Sequence, residues 1–136
     1  ALMSVGFYDE NLGLGTPAGG GEELDITYRL LRSGWKVAYI GDSIIYHESS
    51  RPLRVLIRDA FESGTSKRMV IKKYLKKLDM YMALLGCTIL ISLILEYHMI
   101  RPKNAFNRAL KLLKKLELYG YLLGPDAFSR IFRDTK

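Results

Sequence analysis

The sequence predicts an α/β segment followed by a mainly α-helical, membrane-associated region, on three observations. Residues 22–33 read as a helix, and two short strands follow at 35–40 and 43–47. Sixteen residues at 80–95 carry no charge. The charge also changes sign along the chain. Residues 1–50 hold three Lys/Arg against seven Asp/Glu, and residues 51–136 hold eighteen against seven. These features divide the chain into regions 1–50, 51–79, 80–100 and 101–136.

In the acidic part, Gly13, Gly15, Pro17, Gly19, Gly20 and Gly21 mark a loop with little to pack. Glu22, Glu23 and Asp25 then crowd the first turn of the predicted helix, where the helix dipole favours negative charge. Leu24, Tyr28 and Leu31 give that helix an apolar face, with Gly34 as its stop. Trp35 to Ile40 and Ser43 to His47 are rich in apolar and aromatic residues and are separated by the turn Gly41-Asp42.

In the basic part, Pro52 opens an amphipathic helix to about Glu62, with Leu53, Leu56, Ile57, Ala60 and Phe61 on one side. The run Ser63-Gly64-Thr65-Ser66 punctuates it, and a second helix continues from Lys67 into the apolar segment. Met80 to Leu95 would span roughly 24 Å as a helix, short of a ~30 Å hydrocarbon core. Counted on to Ile100, the segment fits either a tilted transmembrane helix or one lying in the membrane plane. Basic residues flank both ends, so charge asymmetry does not orient it. Residues 104–119 repeat apolar positions at helical spacing opposite Arg108, Lys111, Lys114 and Lys115. Such a helix suits an anionic membrane face, or packing against the rest of the protein.

Composition also excludes. Cys87 is the only cysteine, which rules out a disulfide framework and a Cys-based zinc site within the chain and predicts a buried, inert thiol. A nucleic-acid partner is disfavoured despite the basic balance, because Met80 to Leu95 must be buried in lipid or protein. The opening Ala1-Leu2-Met3-Ser4-Val5 reads as the interior of a fold, suggesting part of a longer or split protein.

The candidates for chemistry lie in the acidic part. The glycine-rich loop lacks the Gly-Lys-Ser/Thr ending of a phosphate-cradling loop. The carboxylates behind it suit a base placed beneath a closing loop, or serve only as helix-terminal charge. His47, at a strand's carboxyl end, suits a metal or a departing phosphate, or is structural.

At these residues the sequence resembles the family 2 glycosyltransferases. Gly6-Phe7-Tyr8-Asp9-Glu10 is similar to the segment that precedes the family's acceptor loop. Gly21-Glu22-Glu23-Leu24-Asp25-Ile26, with Arg29 and Gly34, resembles its Gly-Glu-Asp-x-Asp-Leu motif, and Ile45-Tyr46-His47 resembles the strand that ends in its histidine. The resemblance covers residues 4–50 and extends less specifically to Gly64 and to Gly120 through Arg133.

It implies that region 1–50 is the carboxyl-terminal part of a GT-A (Rossmann-like) domain. That domain would transfer a sugar, with inversion, from a nucleoside-diphosphate sugar to a lipid-linked or glycan acceptor. By position Glu23 is the base, where the family more often has Asp. Glu22, Asp25, Gly20, Gly21 and Asp9 would belong to the acceptor site, and His47 would lie beside the metal. The Mg²⁺ or Mn²⁺ ligands and the nucleotide site would belong to the amino-terminal half of the enzyme, so this chain alone is expected to be inactive. The implied location is a membrane, with the catalytic part cytoplasmic. A non-catalytic membrane scaffold that retains a glycosyltransferase remnant is the alternative.

Overall fold

The computed structural model describes residues 1–46 and 51–127, and these form five helices. They are α1 (Leu2–Val5), α2 (Glu22–Arg32), α3 (Leu53–Leu75), α4 (Met80–Met99) and α5 (Ala105–Leu123). Helix α3 is the spine. It packs most extensively along α5, also along α4, and receives the 6–21 loop and α2 near its carboxyl end.

Two apolar groupings hold the helices together. Val70, Ile71 and Tyr74 of α3 meet Leu12 and Ala18 of the loop and Met82 of α4, flanked by Leu24, Tyr28, Leu85 and Tyr121. Phe61 is fully buried near the point where α3 crosses α5.

That crossing is built on two glycines. A Cβ on Gly64 would lie 1.8 Å from the Glu117 carbonyl oxygen, and one on Gly120 would lie 2.0 Å from that of Phe61. Small residues at such positions let backbones approach to contact, as in close-packed membrane helices. Ser63-Gly64-Thr65-Ser66 is therefore no break: α3 runs through it for 23 residues without interruption. Likewise α5 continues past Gly120 to Leu123 and ends at Gly124, which has φ 80°.

The break falls later. The chain reverses at 76–79 with Leu78 at φ 55°, and Asp79 caps α4 by accepting hydrogen bonds from the Tyr81 and Met82 amides, both at 3.1 Å. A polar cluster spans the three long helices. Glu117 is buried and accepts from Lys67, from Lys114 (3.2 Å) and from the Ser63 hydroxyl (3.2 Å). Lys114 also pairs with Glu96 of α4 at 2.6 Å. Burial pushes the Glu117 carboxyl up, but its two lysines outweigh that and hold it below the usual range.

Helix α4 has 20 residues and is long and apolar enough to cross a membrane. Met82, Gly86 and Leu93 face the protein, while Met80, Leu84, Ile91, Leu95 and Met99 form an exposed stripe on its other side. Cys87 lies on that side and is exposed, not buried as composition suggests. The core there is filled by Gly86 packed against Ile71, which leaves the next residue pointing away.

The predicted α/β class is overturned. Among the described residues there is no strand, so residues 1–46 build no sheet and no Rossmann-like GT-A element. Residues 35–46 take no regular secondary structure. The turn at Gly41-Asp42 exists, with the Ser43 amide donating to the Ile40 carbonyl at 3.3 Å, yet no ladder follows. Tyr39 is 95% exposed and Tyr46 94%. A two-stranded hairpin is marginal without a third strand or a helix against its apolar face. No described element covers that face.

Candidate functional site

The glycine-rich loop closes on itself before it reaches α2. The Thr16 amide and hydroxyl donate to the Gly13 carbonyl, and the Gly19 amide donates to that of Thr16 at 3.1 Å. Gly21, at φ 97°, then caps α2. That conformation favours glycine, and the packing also demands it, because a Cβ there would lie 2.9 Å from Val70 Cγ2. The loop is thus seated on α3, with Ala18 fully buried beneath it.

The three carboxylates of the first turn occupy three environments. Asp25 is fully buried and accepts three hydrogen bonds: from Lys73 Nζ (2.6 Å), the Tyr74 hydroxyl (2.7 Å) and Arg29 Nε (2.9 Å). Glu22 is half-buried with its carboxylate beside Gly13, and its Oε2 is enclosed with no donor among the described residues. Glu23 is exposed and makes no ion pair with the described residues.

Asp25 organises everything around it. Arg29, held by Asp25, turns its remaining donors to the carbonyls of Val5, Gly6 (2.9 Å) and Phe7 (2.7 Å), which ties the amino-terminal segment to α2. Lys73 bridges Asp25 to Asp9 at 2.7 Å. Asp9 in turn accepts from the Asn11 amide and side chain, both at 2.9 Å. The Lys73 ammonium, with these Asn11 donors, holds the Asp9 carboxyl down at about 2. Burial disfavours the charge on Lys73, but the hydrogen bonds to Asp25 and Asp9 outweigh it and raise its pKa. Burial and the adjacent Asp25 push the Tyr74 hydroxyl far above its ordinary value, so it remains a donor.

Of the residues singled out in the sequence, Asp9 and Asp25 are brought together through Lys73, Gly20 and Gly21 pack against α3 at Ser66 and Val70, and Glu22 opens α2. Asp25 has no exposed surface with which to touch an acceptor, so its part in this site is to position others. His47 lies outside the described residues, as does the end of the Gly120 through Arg133 stretch. Among the described residues no three His, Cys, Asp or Glu side chains converge to hold a metal ion.

Lys73 and Tyr74 were missed by sequence reading. Lys73 sits in a lysine-rich polar stretch where nothing local sets it apart from Lys72, Lys76 or Lys77. Only the docking of α2 on α3 does.

Comparison of the chain with known protein families, with characterised proteins and with solved structures finds no match to any of them.

Proposed function

We propose that this chain is the acceptor-side part of a membrane-bound glycosyltransferase, in which Glu23 is the general base. The observation that carries this reading is the contrast within one helical turn. Glu23 is exposed and uncommitted, while Asp25, two residues on, is buried and fixed by three donors. A carboxylate with no internal partner, on a turn that its buried neighbour fixes, is free to accept a proton from a hydroxyl brought to it. Glu23 would take the acceptor hydroxyl's proton as that oxygen bonds to the anomeric carbon. The bond from that carbon to the donor's diphosphate breaks, and its electron pair leaves with the diphosphate. Configuration inverts. The nucleotide and its Mg²⁺ or Mn²⁺ would be held by the amino-terminal half of such an enzyme, and no step assigned to these residues passes through the metal.

Glu23→Gln in the complete enzyme tests the role. Turnover should fall by 10²-fold or more, on the order expected for a lost general base, with sugar-nucleotide affinity kept. Near-normal turnover would leave the non-catalytic scaffold, for which the burial of Asp25 already speaks.

The membrane part of the reading rests on α4, and the enzyme would work at the cytoplasmic face. The packing favours a helix lying in the membrane plane. If α4 crossed the bilayer, Lys67, Glu117 and Lys114, which pack beside its second half through Glu96, would be carried into hydrocarbon. An in-plane helix immerses only its exposed apolar stripe, roughly 5–10 Å deep, and leaves the charged helices in water. Cys87 is the single cysteine and lies on that outer side, so a fluorophore attached there reports depth. Quenchers near the headgroups should quench it more strongly than quenchers at the bilayer centre. The reverse order would mean that α4 spans.

A further inference from the structure

A cleft of about 470 Å³ opens between α3, the carboxyl end of α5 and the 9–12 loop. One wall is cationic: Arg68 and Lys72 stand one turn apart on one face of α3, Lys76 follows at the helix's carboxyl cap, and Lys73 lies beside them. Met69 lies among these cations on α3, the rest of the apolar lining comes from Leu12, Leu123 and Pro125, and Asp9 and Asp126 also line the cleft.

The four cations differ in what they already hold. Lys73 is neutralised by Asp9 and Asp25. Arg68 donates to the carbonyls of Tyr121 (3.2 Å) and Leu122 (2.7 Å), which anchors it without cancelling its charge. Lys72 and Lys76 are exposed and make no ion pair among the described residues. They stand one helical turn apart, a spacing at which like charges repel. An anion with several acceptor oxygens would relieve that repulsion and find the Arg68 guanidinium already positioned.

We infer that this cleft binds a phosphate group, and specifically the phosphomonoester or diphosphate headgroup of a lipid, whose first carbons would lie on the apolar residues. The juxtaposition of uncommitted lysines with an apolar lining favours an amphiphile over a free ion. The site does not depend on Glu23 having a catalytic role, since none of its residues belongs to the α2 turn.

The test uses the full chain and vesicles of phosphatidylcholine doped with either phosphatidic acid, a phosphomonoester, or phosphatidylglycerol, a phosphodiester, with binding read by flotation. Inorganic pyrophosphate binding is measured separately by calorimetry. The cleft variant is Lys72→Gln with Lys76→Gln. The charge-matched control is Arg101→Gln with Lys103→Gln, both exposed in the α4–α5 link. The cleft variant should lose roughly thirtyfold in affinity for phosphatidic acid vesicles, on the scale of two lysines at an anionic surface, with the control much less affected. A loss confined to pyrophosphate would keep the phosphate site but assign it to a soluble ligand. Equal losses in both variants, or none in the cleft variant, would overturn the site.

Discussion

Gly120→Ala is expected to destabilise the protein by about 3 kcal/mol or more, the upper end for an overpacked core with no side chain free to yield. The new Cβ would sit 2.0 Å from the Phe61 carbonyl oxygen, 2.9 Å from its carbon and 3.0 Å from the Thr65 amide nitrogen. All three are backbone atoms of α3. No rotamer change relieves the clash, so the helices would have to separate by about 1 Å, which breaks close-packed contact along the whole crossing. Gly64→Ala should act in the same direction, since its Cβ would lie 1.8 Å from the Glu117 carbonyl oxygen. The sign is what makes the measurement decisive. In an exposed helix interior, Gly→Ala stabilises by roughly 0.5–1 kcal/mol. Urea unfolding followed by circular dichroism would show a lower midpoint for both variants if α3 and α5 cross at these glycines. A raised midpoint would mean that they do not.

The second large effect is at Asp25. Asp25→Ala should cost about 3–5 kcal/mol, the penalty for removing one partner of a buried ion-pair network and leaving its donors unsatisfied. Lys73 would keep Asp9, but Arg29 Nε and the Tyr74 hydroxyl would lose their acceptor. The amino-terminal segment should loosen as well, because Arg29 holds the carbonyls of Val5, Gly6 and Phe7 only while Asp25 orients it. Tyr74→Phe removes a single donor and should cost less, about 1–2 kcal/mol. Chemical denaturation gives the ranking, and amide hydrogen exchange at residues 5–7 reports the loosening. Equal, small costs for both variants would show that the hub does not hold the loop. Glu23→Gln should leave stability within about 0.5 kcal/mol, as for other exposed positions, which separates the proposed base from the residue that positions its turn.

Much of the helical content was legible in the sequence because its signals are local. The acids at Glu22, Glu23 and Asp25 with Gly34 beyond Arg32 bound α2, and the uncharged run after Asp79 marks α4. The apolar period from Phe106 to Leu116 locates α5, whose amino end is closed by Asn104 accepting from the Asn107 amide at 2.8 Å. These are statements about one turn of chain, and residues within a turn determine them. The glycine-rich loop and the carboxylate run were visible for the same reason.

What only the tertiary structure decided is who meets whom. Residues 35–46 have strand-like composition, but a strand exists only where another backbone pairs with it, and none does among the described residues. Gly64 reads locally as a helix breaker, yet becomes the contact point of α3 once a second backbone lies against it. Asp25 reads as one of three dipole acids until Lys73 and Tyr74, forty-eight and forty-nine residues further on, close over it and leave Glu23 as the one turned to solvent. Periodicity tells a helix which of its faces is apolar. It carries no information about the partner that face will find, because that depends on contacts between residues far apart in the chain.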